Sequence, residues 1–304
     1  MTGAVRSWTE SSLLLAGAEG GPGDEQGTAL LLHYGDLPAA TAAEDPAGEA
    51  PPVLLVHGYA GSIADWDGVA PELAEDRRVV AYDHRGHGAS TKFGDRRAYG
   101  LDLLGADLEA FAARMLPGPV DLVGHSMGGV LALRYALAHP ERVRSLVLMN
   151  TAPEPASSWG VRLLFRLLDV LVRRRGMGPV MWFVERMVPV PGDASPRDLA
   201  RMERQAAAVA GMDPAAFVAL GKAIRSYPSL RDRLSAVACP VTVLSGPHDP
   251  GLQTAAAHLA AGIPGARLVV LPGAGHNSQT EAPKEWLEAV RDHLARAAGT
   301  PASP

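Results

Sequence analysis

The stretch Gly124-His125-Ser126-Met127-Gly128-Gly129 admits few backbone paths. Before it, Val120-Asp121-Leu122-Val123 reads as a buried strand. After it, residues 130–139 carry the spacing of a helix. The chain must therefore turn sharply from strand to helix at Ser126, the context that gives a G-x-S-x-G pattern its meaning. Residues two before and two after the serine must be small, or their side chains would collide with the neighbouring strand and helix. The serine hydroxyl is then lifted to the tip of the turn, above a helix N-terminus that favours developing negative charge.

At 304 residues the chain is long enough to bury about three quarters of its unfolded surface, so no disulfide or metal is needed to hold it together. The single cysteine, Cys239, excludes an intramolecular disulfide and a thiolate cluster. It precedes Pro240 at the start of an apolar run and reads as a buried small hydrophobe. A net charge of -5 offers no basic patch for nucleic acid. A hydrophobic share of 47% is too polar for several membrane spans, so no membrane partner is expected. The first twenty residues lack a secretory h-region, and a cytoplasmic location is expected.

Two opening strands, near 12–18 and 28–34, are joined by Gly20-Gly21-Pro22-Gly23-Asp24 and predict an antiparallel start. A Pro/Ala/acidic loop spans 36–52. From 53 to 150 strands and helices alternate: strands at 53–56, 78–82, 120–123 and 145–149, and helices near 63–74, 101–115 and 130–139. That alternation predicts a parallel sheet with helices on both faces. From 151 to 234 it stops, and four helices are predicted near 159–175, 179–187, 196–209 and 214–226, with breaks at 176–178, 189–192 and 211–213. This block reads as a helical cap (lid) inserted into a core made of 1–150 and 235–304. Its Trp159, Met181, Trp182 and Phe217 are candidate substrate-binding residues in an apolar pocket. The alternation resumes with strands at 241–245 and 267–271 and helices at 252–261 and 283–296.

An alcohol is a poor nucleophile at neutral pH. It needs a base within hydrogen-bond reach, and the base needs a carboxylate to hold its tautomer. Ser126, Asp249 and His276 each sit just beyond the C-terminal end of a predicted strand, where open parallel sheets build their sites. Of the 10 histidines, His276 alone lies in a glycine-framed loop after the final strand. Asp249 is the candidate acid, because the preceding strand ends in Asn150, which cannot serve as an anion; Asp83 reads as a loop anchor, and His57 and His125 as structural. Donors for a developing oxyanion are expected from the backbone N–H groups of Met127 and of Tyr59, in the loop after the strand at 53–56.

Together, His57-Gly58-x-x-Gly61-Ser62, Asp83-x-Arg85-Gly86-x-Gly88-x-Ser90, Gly124-His125-Ser126-Met127-Gly128-Gly129, Gly246-x-x-Asp249 and Gly275-His276 resemble the α/β-hydrolase fold superfamily. They resemble its branch of bacterial esterases, haloperoxidase-like esterases and C–C bond hydrolases. The resemblance implies an eight-stranded, mostly parallel sheet with a helical cap between its sixth and seventh strands. Members that use an aspartate nucleophile are excluded, because the position is Ser126.

The expectation is a serine hydrolase acting on a carboxylic ester, thioester or lactone of an apolar small molecule, as a monomer or homodimer, with no cofactor and no metal. Two other readings stay open: C–C bond hydrolysis or a non-hydrolytic biosynthetic reaction on the same residues, and a receptor-like protein that senses a ligand in the pocket.

Overall fold

The computed structural model describes residues 6–15, 29–41, 50–155, 159–187 and 195–299. In chain order the elements are β1 (Thr9–Leu15), β2 (Leu30–Leu37), β3 (Ala50–Val56), α1 (Ala70–Leu73), β4 (Arg77–Tyr82), α2 (Leu101–Met115), β5 (Val120–His125), α3 (Met127–Ala138) and β6 (Val143–Met149). Then come α4 (Trp159–Arg175), α5 (Gly178–Met187), α6 (Pro196–Gly211), α7 (Pro214–Ala223), β7 (Val241–Ser245), α8 (Pro250–Gly262), β8 (Arg267–Val270), α9 (Ser278–Glu281) and α10 (Pro283–Ala298).

The eight strands form one sheet in the order β1-β2-β4-β3-β5-β6-β7-β8. Only β2 runs against the rest: it is antiparallel to β1 and to β4, and every other pair is parallel. Alternate residues of the central strands feed two cores. Leu54, Val56, Val80, Tyr82 and Leu122 pack with α2 and α3 on one face. Val53, Leu55, Val79, Ala81 and Val123 pack with Trp66 and the α10 residues Trp286 and Val290 on the other. Strands covered on both faces read as unbroken apolar runs, and each buried Leu, Val or Ile contributes about 1.5–3 kcal/mol.

The helix expected at 63–74 is broken. A 3-10 turn covers Ile63–Trp66 and α1 only four residues. Gly68 loosens the path, and Pro71 has no N–H to give and would press on the carbonyl four residues back. The loop expected over 36–52 is shorter, since β2 runs on to Leu37 and β3 starts at Ala50; residues 42–49 lie outside the described residues. So do the Gly20–Asp24 connection and the predicted break at 189–192. Cys239 is half-buried, and its thiol is pushed up to about 11, chiefly by burial, so it stays protonated near neutral pH.

Helices α4–α7 occupy the stretch between β6 and β7. The last of them is tied to the sheet's loops. Asp213 caps α7 by accepting from Ala215 N at 2.8 Å, its carboxylate accepts from Gly94 N at 2.7 Å and from the Tyr99 hydroxyl, and its own N–H donates to Gly86 O at 2.8 Å.

Candidate active site

Strand β5 ends at His125 and α3 begins at Met127, so Ser126 alone turns the chain. It does so at φ 52°, ψ −117°, a region whose strain costs an L residue on the order of 1–3 kcal/mol. The surroundings hold it there. Its N–H donates to Met149 O at 2.9 Å, and its carbonyl accepts from the Gly129 and Val130 N–H groups and from Thr151 Oγ1. A Cβ on Gly124 would stand 2.6 Å from Gly128 O and 2.7 Å from Ala132 Cβ; one on Gly128 would stand 2.3 Å from Val56 O and 2.5 Å from His57 O. Their bare Cα atoms let α3 lie against its own strand and against the end of β3.

Ser126 Oγ is 3.1 Å from His276 Nε2, and His276 Nδ1 is 2.7 Å from Asp249 Oδ2. The three residues follow β5, β8 and β7. The imidazole is 45% exposed and the carboxylate 16%, so the His276 ring faces a cavity while the Asp249 carboxylate sits behind it. His125, the neighbour of the serine, cannot compete as base. It is buried, its Nε2–H donates to His276 O at 2.9 Å, and burial first, then His276, holds its pKa down to about 3.

Asn150 has a role that its failure as an acid concealed in the sequence. At φ 46° directly after β6, its Nδ2 donates to Asp249 Oδ2 at 3.3 Å and to Gly275 O at 3.0 Å, while its Oδ1 accepts from Ser278 Oγ at 2.6 Å. One side chain thus brackets the carboxylate and the loop that carries His276. Its place at a strand's C-terminal end was the available signal.

The loop after β3 is held by neutral histidines. His57 donates from Nδ1 to Gly58 O at 2.8 Å and accepts at Nε2 from His84 N at 3.0 Å. His87 accepts at Nε2 from Ala60 N at 3.3 Å. All three rings are buried, and burial lowers the pKa of each, to about 3 for His87. Asp83 anchors the next loop by accepting from Ile63 N at 2.8 Å and Ala89 N at 2.9 Å. The result sets Gly58 against the serine: a Cβ there would be 3.1 Å from Ser126 Cβ. Tyr59 follows it, and Met127 opens α3 on the other side. The Tyr59 hydroxyl donates to Phe217 O at 2.6 Å, tying this loop to α7.

A cavity of about 540 Å³ adjoins His276, His125 and the Tyr59 loop, within the size range of small-molecule sites. Its far wall is α6, through Met202, Ala206 and Val209, with Glu203 and Gln205. The aromatic and methionine candidates fall elsewhere. Phe217 is buried beneath the Tyr59 ring, Met181 is half-buried on α5, and Trp182 is 63% exposed; none of them lines the cavity. Trp159 opens α4, and its side chain lies outside the described residues. Size and hydrophobicity pointed to these four, but helix phase decides the lining, and the spacing 202, 206, 209 is one face of α6. A smaller polar cavity of about 420 Å³, with Arg201, His248 and Glu281 on its wall, adjoins the other side of His276. Among the described residues no group of three His, Cys, Asp or Glu could hold a metal ion, and no helix is long and apolar enough to cross a membrane.

Asp65 is a further polar group on the larger cavity. Its carboxylate accepts from Ser62 N at 3.3 Å, and burial, reinforced by Asp83 and Asp67, raises its pKa from 3.8 to about 7. A raised carboxyl pKa means that the unfolded chain gives up this proton first, so ionisation opposes folding increasingly from pH 3.8 to about 7 and by a constant amount above. Asp65→Asn keeps the acceptor and removes the charge. Its melting temperature should exceed the parent's by a margin that widens across that window and levels off at higher pH. A margin independent of pH in thermal melts would place the charge in water instead.

Sheet order, serine turn and the three-residue relay define a hydrolase of the α/β class, and comparison with known proteins agrees. Residues 51–177 match the alpha/beta hydrolase fold family. The chain is 32% identical over 247 residues, 79% of its length and 94% of the relative's, to a pimeloyl-[acyl-carrier protein] methyl ester esterase of Nitrosomonas europaea. It is 31% identical over 259 residues, 81% and 87% of the two chains, to a 2-hydroxymuconate semialdehyde hydrolase of a Pseudomonas strain. Among solved structures, a thermophilic esterase from Thermogutta terrifontis superposes with a TM-score of 0.76 at 26% identity, covering 94% of this chain and 99% of that one. The chain belongs to the α/β-hydrolase family and is an enzyme of that class.

Proposed function

We propose that the protein is a serine hydrolase that cleaves a carboxylic ester, thioester or lactone of an apolar small molecule through an acyl-enzyme. The observation that carries this reading is the unbroken relay from Asp249 through His276 to Ser126 Oγ, at 2.7 and 3.1 Å, beside a cavity walled by Met202, Ala206 and Val209. Ser126 attacks the carbonyl carbon as His276 Nε2 takes its proton. The backbone N–H groups of Met127 and Tyr59 hold the oxyanion, each worth roughly 10²–10³ in rate. His276 then protonates the leaving group, and water, activated by the same imidazole, releases the acid. Asp249 keeps the proton on Nδ1 and stabilises the imidazolium. The esterase relatives and neighbours support this reading, as does an enol-lactonase from Burkholderia xenovorans LB400, whose structure superposes with a TM-score of 0.73 at 25% identity over 88% of this chain and 97% of that one.

The test is intact mass after a fluorophosphonate probe, beside a p-nitrophenyl ester chain-length series and a vinylogous diketone. One adduct and ester turnover are expected, with the optimum chain length reporting the depth of the α6-walled cavity. An adduct with turnover of the diketone alone would move the reading to C–C bond hydrolysis. Ligand binding with neither adduct nor turnover would leave a receptor-like protein.

A further inference from the structure

Helix α4 exposes more apolar surface than a helix that serves only the core. Leu163, Leu164, Leu167, Val170 and Leu171 are between 40% and 56% exposed. At 100° per residue they share one outward arc of roughly 120°. The inward arc holds Val172, which is buried, Leu168, which packs against the core, and Asp169, whose carboxylate pairs with Arg225 at 3.3 Å. Exposed arginines border the apolar arc: Arg166 and Arg173 along one side, Arg175 along the other and Arg174 at its C-terminal end. The helix holds five arginines and one acid, in a chain whose net charge is -5. On the adjoining α5, Trp182 is 63% exposed.

We infer that α4 docks the protein onto an anionic lipid surface, lying in the plane of the interface with its leucines in the acyl boundary and its arginines among the headgroup phosphates. An exposed apolar stripe flanked by Arg is the composition that binds in that way, and juxtaposed basic residues draw a helix to anionic lipid. The expectation of no membrane partner rested on spanning segments, which an in-plane helix does not need. Charge also selects against a second copy of the chain. A two-fold dimer through this face would set the same four arginines against their equivalents. The cap layer links the stripe to the chemistry, since α5 packs on α4 and on α6, which walls the cavity. The inference concerns binding and stands independently of the bond the enzyme cleaves.

The experiment is flotation of the purified full chain with vesicles of phosphatidylcholine alone or mixed equally with phosphatidylglycerol, at low salt and at about half-molar salt, where screening shortens the electrostatic reach to a few ångström. The expected result is about five-fold or more protein on the anionic vesicles at low salt, falling towards the phosphatidylcholine level at high salt. The double variants Leu163→Glu/Leu167→Glu and Arg173→Glu/Arg174→Glu should each abolish the enrichment while keeping the parent's melting temperature and its turnover of a soluble ester. Equal binding to both vesicle types, or no binding to either, overturns the proposal. So does a dimer in sedimentation velocity that Leu167→Glu dissolves while vesicle binding is unchanged, because the stripe would then be a self-association face.

Discussion

Ser126→Ala is expected to reduce ester turnover by about 10⁶ in kcat, the loss seen when the nucleophile of a serine–histidine–aspartate relay is removed. The attacking atom is gone, and the neighbouring His125 does not replace it: its ring is buried, its pKa is held down to about 3, and its Nε2–H is engaged with the His276 carbonyl. Folding should survive. The strained backbone at φ 52° is held by bonds to the Ser126 N–H and C=O, not to its hydroxyl, whose hydrogen bond among the described residues is to His276. The melting temperature should therefore stay within a few degrees of the parent's, and the fluorophosphonate adduct should vanish. Residual turnover of roughly 10³–10⁴ over water would reflect oxyanion stabilisation and binding alone. Turnover within tenfold of the parent would sink the acyl-enzyme mechanism.

The second large effect is at the acid, and Asn150 decides its form. Asp249→Asn removes the charge that stabilises the imidazolium. An amide can also turn its NH₂ towards His276 Nδ1 and force the wrong tautomer, the cause of a loss of about 10⁴ in such relays. Here Asn150 Nδ2 donates to the same oxygen that accepts from His276. That donor favours an oxygen in place, so Asp249→Asn alone should cost about 10³ in kcat/KM, with the correct tautomer kept and only the charge lost. Adding Asn150→Leu frees the amide to turn, and the loss should deepen towards about 10⁴. If Asn150→Leu costs the same factor with Asp249 intact, the two act independently, and Asn150 does not work through the carboxylate.

Much of this was legible in the chain. The continuous apolar run at 53–56 pointed to a strand covered on both faces, and α2, α4 and β7 begin and end where the sequence pattern places them. The glycines around Ser126 announced a turn that nothing larger could enter, and the distances a Cβ would meet there bear that out. Where local rules failed, a neighbour at a distance or a backbone break intervened. The 63–74 helix yields to Pro71 and Gly68. The cavity lining passed from Trp182 and Phe217 to Met202, Ala206 and Val209, because which face of a helix between β6 and β7 looks inward depends on how those helices pack against one another.

The order of Ser126, Asp249 and His276, and their place beyond strand ends, follow from sequence alone. Each stands at the end of a strand whose identity is local, and parallel strands collect such ends on one edge of a sheet. What only the tertiary structure decided is everything set by contacts between residues far apart in the chain: the buried histidine cluster that positions the Tyr59 loop, the Asn150 bracket across 99 and 125 residues, and the outward turn of the α4 leucines. Periodicity tells a helix which residues share a face. It does not tell that face whether it will meet a protein core, a substrate or a lipid surface, because burial belongs to the assembled neighbours.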